Sequence, residues 1–115
     1  MELTPLESDL IGDLAQDDFD LYEVFEFVRL HHGRDEPQVR SIGRALLASW
    51  IARGWLGLAQ EGGDAQQPGA ASQIGDVLTF IDRAGTLGTE FRGAETKVRL
   101  TDRARADVKW LGPAT

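Results

Sequence analysis

Hydrophobic residues recur along most of this chain at spacings of three and four, the periodicity of amphipathic helices. A leucine stands at every fourth position from Leu6 to Leu14, on one face of a first segment. Thr4 and Pro5 precede it, a pair typical of a helix N-cap followed by the first helical position. This pattern predicts a helix over about 5–16.

A second helix is predicted over about 18–32, capped by Asp17 or Asp18 and ended by Gly33. One side carries an ordinary core stripe of Leu21, Val24, Phe25 and Val28. The other side mixes large apolar side chains with carboxylates, namely Phe19, Asp20, Glu23, Glu26, Phe27 and Leu30. Either another helix of the chain covers these residues, or they bind a partner through apolar anchors inside an acidic rim. We take the six residues as the candidate partner-binding surface.

A third helix is predicted over about 36–53, with Pro37 in its first turn and Gly54 at its end. Its large apolar stripe consists of Val39, Leu46, Leu47 and Trp50. Across from this stripe lie small residues, Ser41, Ala45, Ala48 and Ala52, which permit close approach of another backbone. The two stripes predict a central helix that is buried on both sides.

The rest of the chain alternates short elements with glycine-rich stretches. The patterns predict a strand over 55–60, a flexible loop over 61–71, a helix over 73–84, an irregular stretch over 85–95, a strand over 97–100 and a last helix over 102–111. The fold class expected is therefore mainly α with a small β-hairpin, an α+β domain of five helices and two strands.

The size and composition fit one globular domain spanning residues 1–115. The chain is 42% hydrophobic and 27% charged, enough apolar material for a core at this length. Cysteine is absent, which excludes disulfides, thiolate nucleophiles and the usual structural zinc sites. The N-terminus has neither a basic segment nor a continuous apolar run, so we expect a cytoplasmic protein without a signal peptide or membrane anchor.

Charge is unevenly distributed along the chain. Residues 1–33 hold nine acids against one base, for a net −8, whereas the whole chain carries −7. The segments 34–60 and 96–115 are basic, with net charges of +2 and +3. A strongly negative first third repels phosphate backbones and favours a cationic partner.

Motifs for catalysis are missing from the sequence. It contains no GxxxxGK[ST], GxGxxG, HExxH or GxSxG pattern, so we expect no enzyme and no cofactor. His31 and His32 are adjacent and point about 100° apart on a helix, which does not suit a shared metal ion. The acids at 17–20 lack the glycine-turned spacing of a calcium loop, so no metal site is expected.

Two segments, RSIGRALLASWIARGWLGLAQ at 40–60 and VRLTDRARADVKWL at 98–111, resemble a winged-helix domain. In that family a helix ends at a glycine, a hydrophobic strand follows, and the second wing strand leads through a Leu-Thr step into a last helix. Gly54 matches the first feature, Trp55-Leu56 matches the hydrophobic strand, and Leu100-Thr101 matches the last feature. The resemblance implies a two-stranded wing and a recognition helix over 36–53, with Arg40, Ser41 and Arg44 near its reading end.

Two functions from different classes follow from these patterns. The first is a non-catalytic acidic inhibitor, analogous in size and charge to immunity proteins and antitoxins, which binds a basic protein such as a toxin or nuclease. The second is a winged-helix transcriptional regulator that binds DNA through its basic segments, with a homodimer as one arrangement. The acidic isoelectric point of about 4.7 favours the first. Neither function involves a membrane.

Overall fold

A computed structural model describes residues 3–59, 74–84 and 97–111. Its elements in chain order are α1 (Pro5–Leu14), β1 (Phe19–Asp20), α2 (Leu21–His32), α3 (Glu36–Ala52), β2 (Leu56–Ala59), α4 (Asp76–Ala84), β3 (Lys97–Leu100) and α5 (Asp102–Asp107), followed by a 3₁₀ turn (Lys109–Leu111). The described part of the chain is thus mainly helical with a small antiparallel sheet, which confirms the expected α+β class.

Helices α1 and α2 begin at side chains that satisfy the free backbone groups of the first turn. In α1 the Thr4 hydroxyl accepts from the Glu7 amide at 3.2 Å, and the Glu7 carboxylate accepts from the Thr4 amide at 3.1 Å. In α2 the Glu23 carboxylate accepts from the amide of the N-cap residue Asp20 at 3.3 Å. The cap of α2 is therefore Asp20, and the prediction of Asp17 or Asp18 is wrong.

The sheet has three strands in the order β1-β3-β2, all antiparallel. Phe19 of β1 lies opposite Val98 of β3, and Leu56 of β2 lies opposite Leu100. The prediction of a two-stranded hairpin is incomplete because it omits β1. This strand is only two residues long, too short to show the alternation by which strands are predicted. Its pairing with β3 draws these two residues out of the helix predicted over 18–32.

Two tryptophan rings form the centre of the core. Trp50 and Trp55 are fully buried, with ring centroids 5.9 Å apart. The Trp50 indole N–H donates to the Glu7 carboxylate at 3.1 Å, and the Trp55 indole N–H donates to the Asp107 carboxylate at 2.9 Å. Both polar ring atoms are satisfied, so these bulky side chains are buried without an unpaired donor.

Helix α3 buries its large apolar stripe as predicted, but its small stripe faces outward. Val39, Leu46, Leu47 and Trp50 are buried, whereas Ser41, Ala45 and Ala52 are exposed and Ala48 is half-buried. The prediction that both stripes are buried is wrong for the small stripe. The close approach of a neighbouring helix occurs at Gly43, which lies with the large stripe. A methyl group added at Gly43 would lie 2.4 Å from Cε1 of Phe25 in α2.

Most other predicted boundaries shift by a few residues. The predicted strand 55–60 is β2, and the predicted helix 73–84 is α4, which begins at Asp76. The predicted helix 102–111 is divided at Val108, which separates α5 from the 3₁₀ turn. The predicted loop 61–71 and the irregular stretch 85–95 lie outside the described residues.

We expect Gly43→Ala to destabilise the protein by about 1–3 kcal/mol, because the new methyl group overpacks the contact with Phe25. The matched control is Gly12→Ala in α1, where the nearest atom, in Trp110, is 4.0 Å away. This control should be neutral or stabilising by up to about 1 kcal/mol, since alanine is the better helix former. Thermal unfolding of both variants measures the difference. Equal midpoints would show that α2 and α3 do not pack at Gly43.

Candidate functional site

The apolar members of the predicted partner-binding surface have very different environments. Phe19 lies in β1, is buried, and packs on Phe27 with ring centroids 5.5 Å apart. Phe27 is half-buried against the core, and Leu30 is 81% exposed. Phe19 therefore belongs to the core and is not available to a partner, so Leu30 is the strongest apolar candidate of this group.

The carboxylates of the same predicted surface have local partners. Glu23 caps α2 at the Asp20 amide, as described above. Glu26 forms an ion pair with Arg29, one turn further along the helix. Glu26 therefore has a basic neighbour within α2, at i+3. Asp20, Glu23 and Glu26 all remain half-buried at this side of α2.

A second acidic surface lies at the C-terminal end of α1. Asp13 stands in the last turn of α1, Asp17 and Asp18 follow it, and the first two are exposed. No basic residue occupies that last turn, but Arg105 of α5 donates to the carbonyl of the C-cap residue Ala15 at 2.7 Å. Because the C-terminal end of a helix carries partial negative charge, an acid there costs about 0.3–1 kcal/mol relative to a neutral residue. We call Asp13, Asp17 and Asp18 the α1 acidic surface. These charges contribute to the net −8 of residues 1–33, but the sequence pattern does not assign them to a site.

Two exposed apolar side chains border α1. Trp110, in the 3₁₀ turn, is 62% exposed, and its Cη2 atom is 4.0 Å from the Cβ position of Gly12. On another side, the His31 imidazole contacts the Asp9 carboxylate at 2.9 Å, which places the end of α2, where Leu30 lies, beside α1. Trp110 and Leu30 are the large apolar residues that the described part of the chain exposes. The sequence pattern gave no sign that Trp110 is exposed.

The arginines predicted to bind DNA contact α4. Arg44 donates to both carboxylate oxygens of Asp82, from Nε at 2.6 Å and from Nη2 at 2.9 Å. Arg40 donates to the backbone carbonyls of Ile81 and Asp82 at 2.6 and 3.2 Å. Ser41 lies apart from these contacts, on the exposed small-residue face of α3. The structure therefore separates the three residues, with both arginines bound by the last turns of α4.

Hydrogen bonds lower the pKa of two surface carboxylates. The Arg44 guanidinium holds the pKa of Asp82 below its ordinary value of 3.8, and Asp82 in turn raises the pKa of Arg44. The pKa of Asp107 is lowered chiefly by the hydrogen bond from the Trp55 indole, with a smaller contribution from Arg103. Both carboxylates are therefore charged at neutral pH and hold their partners as anions.

An open groove lies between the start of α1, the end of α2 and the middle of α3. Its volume is about 690 Å³, and His31, His32, Ile42, Ala45 and Leu46 are among its lining residues. Across the described residues, no three histidine, aspartate or glutamate side chains form a group that could hold a metal ion. The lining also includes Thr4, Pro5, Leu6 and Glu7, so apolar side chains share the groove with a hydroxyl, a carboxylate and two imidazoles.

No family model matches this chain, nor does any curated protein or solved structure. Within the described segments, every helix is too short or too polar to cross a membrane. Inferences about function therefore depend on the surfaces just described.

We expect NMR titration of the carboxylate carbons to give pKa values below 3.8 for both Asp82 and Asp107. A lowered pKa in the folded state means that each group stabilises the fold above pH 3.8, and that this contribution is lost as the pH falls through the folded value. Arg44→Ala should return the pKa of Asp82 toward 3.8 and leave Asp107 unchanged. An unshifted Asp82 in the wild type would show that the contact with Arg44 is not populated in solution.

Proposed function

We propose that this chain is a winged-helix-type domain that acts as a non-catalytic docking module for a basic protein, as an acidic inhibitor of a basic toxin or nuclease would. The observation that carries the proposal is the α1 acidic surface. Its carboxylates lie at the negative end of a helix, where they oppose the stability of the fold. The described residues supply one cation to this helix end, Arg105, which donates to the carbonyl of the C-cap residue Ala15 at 2.7 Å. A basic partner would supply further cations to the carboxylates around it.

The winged-helix part of the proposal is supported by the join between α3, β2 and α5. Gly54 follows α3 with a φ of 75°, a left-handed conformation that suits glycine, and β2 begins two residues later. Thr101 follows β3 and caps α5, accepting from the Ala104 amide at 3.3 Å. Its hydroxyl also donates to the Gly54 carbonyl at 2.6 Å, so the glycine end and the Leu-Thr step contact each other.

The α1 acids differ from other acids at helix ends in the sign of the helix dipole that they meet. Asp35 and Asp102 stand at the starts of α3 and α5, where the helix dipole favours negative charge. These two acids are therefore explained by their favourable contribution to the stability of the fold. Asp13 and Asp17 stand at the opposite kind of end, and stability would favour a base or a neutral residue there. Their charge is better explained by attraction to an external cation, which acts mainly on the rate of association.

Apolar contact would come from the exposed side chains beside α1. Trp110 lies beside Gly12, next to the α1 acidic surface, whereas Leu30 stands at the end of α2, which meets α1 at Asp9. An interface gains most of its binding energy from a few such anchors. Tryptophan suits a basic partner in particular, because its ring face attracts the guanidinium of an arginine. The proposed surface thus moves from the α2 face expected from sequence to α1, and keeps Leu30.

Duplex DNA binding by α3 is the second candidate, and one observation favours it. The small-residue face of α3 is exposed at Ser41, Ala45, Ser49 and Ala52, as the outer face of a recognition helix would be. Arg40 and Arg44, which should contact phosphates, are bound to α4 instead. We therefore rank DNA binding below protein docking.

The test compares two double variants that remove the same amount of charge. We expect Asp13→Asn with Asp17→Asn to raise the stability of the fold by about 0.3–1 kcal/mol for Asp13, which lies in the last turn, because the helix end loses an unfavourable charge. Asp35→Asn with Asp102→Asn should lower stability by a similar amount. Thermal unfolding at low salt measures both changes before any partner is known.

The same variants then test docking. Basic proteins captured on the immobilised chain at low salt are purified, and their association rates are measured over a salt series. The α1 variant should slow association several-fold at low salt, with the difference vanishing as salt rises, while the control variant should associate as the wild type does. Equal rates for both variants would exclude the α1 acidic surface. Duplex DNA binding that is lost in Arg40→Ala with Arg44→Ala would instead favour the second candidate.

A further inference from the structure

We infer that α4 covers an anion-binding site on α3, in which Asp82 occupies the position that a phosphate of duplex DNA would take on Arg44. This inference concerns α3 and α4 and does not depend on docking at α1. The cover is an intramolecular competitor that suppresses nucleic-acid binding by a helix whose adjacent face is exposed.

The contact geometry is the first support. Arg44 meets Asp82 through two parallel hydrogen bonds, from Nε at 2.6 Å and Nη2 at 2.9 Å. A guanidinium binds carboxylate and phosphate with the same forked geometry, so one group can replace the other. Arg40 lies one turn earlier on α3 and binds the carbonyls of Ile81 and Asp82. These carbonyls stand in the last turn of α4, where the helix is partially negative.

The exposure of the ion pair is the second support. The side chains of Arg44 and Asp82 are 42% and 54% exposed, so water and salt screen their attraction and an external anion can reach it. The position of α4 does not depend on this pair, because Val77 and Ile81 are buried in the core. Neutralising Asp82 should therefore release Arg44 without detaching α4.

The position of the pair on α3 is the third support. Arg40 and Arg44 each precede a residue of the exposed face, Ser41 and Ala45. A phosphate bound at Arg44 would thus lie at the edge of the surface that the small residues leave open. The helix that closes this edge belongs to the segment between β2 and β3, which joins the two longer strands of the sheet.

The experiment measures binding of a fluorescein-labelled, mixed-sequence duplex by anisotropy over a salt series. Asp82→Asn should bind more tightly than the wild type at low salt, and its plot of log K against log salt should be steeper by about 0.9, the value for one added phosphate contact. Asp76→Asn, which removes the same charge from the other end of α4, should behave as the wild type. Adding Arg44→Ala to Asp82→Asn should abolish the gain.

Two results would overturn the inference. One is equal binding and equal salt slope for Asp82→Asn and Asp76→Asn, and the other is a gain that persists after Arg44→Ala. A second measurement needs no variant and covers the case in which Asp82→Asn unfolds. In the wild type at low salt, excess duplex should shift the NMR signal of the Arg44 Nε–H and not that of Arg103, whose Nε is bound to Asp107 at 3.2 Å. Equal shifts, or no shift of Arg44, would contradict a competitive cover.

Discussion

The packing of Phe25 against the backbone of Gly43 is the constraint on which the arrangement of the helices depends. The Phe25 ring occupies the space that any side chain at position 43 would need, so α2 and α3 approach at this point more closely than two ordinary residues allow. This contact turns the large apolar stripe of α3 into the core and leaves Ser41 and Ala45 facing outward. With α3 in this orientation, Arg40 and Arg44 lie alongside α4. The exposed small-residue face and the arginine contacts with α4 therefore both depend on the packing at Gly43.

The parts of the fold that could be predicted from sequence are those set by local interactions. Helix starts at Thr4 and Pro37 and the helix end at Gly54 depend on residues within one turn, and the periodic stripes depend on helix geometry. Strand β1 could not be predicted, because its two residues form a strand only by pairing with β3, far along the chain. This pairing buries Phe19, so Phe19 cannot serve as an apolar contact of the predicted partner-binding surface on α2.

The partners of the charged side chains could likewise be predicted from sequence only where they lie close along the chain. The sequence located the negative field in the first third of the chain, yet a charge count cannot distinguish carboxylates that cap or pair from those that face solvent. Glu23 and Glu26 are engaged within their own helix, whereas Asp13 is exposed at an unfavourable end. Pairing of Arg44 with Asp82 joins residues from two helices separated by a strand, and no spacing rule anticipates it. Tertiary contacts thus decide which charges remain available.

The three tryptophans differ sharply in exposure, and this makes the region around α1 optically distinct from the core. Trp50 and Trp55 are fully buried, so their emission is shielded from quenchers dissolved in water, whereas Trp110 is largely exposed beside Gly12. Quenching of the red edge of the spectrum therefore reports on Trp110. Asp13, the neighbour of Gly12 on α1, attracts caesium ions to this region, whereas Lys109, the neighbour of Trp110, attracts iodide ions. The ratio of the quenching constants of the two ions therefore measures the local electrostatic potential at Trp110, and the protein needs no attached dye.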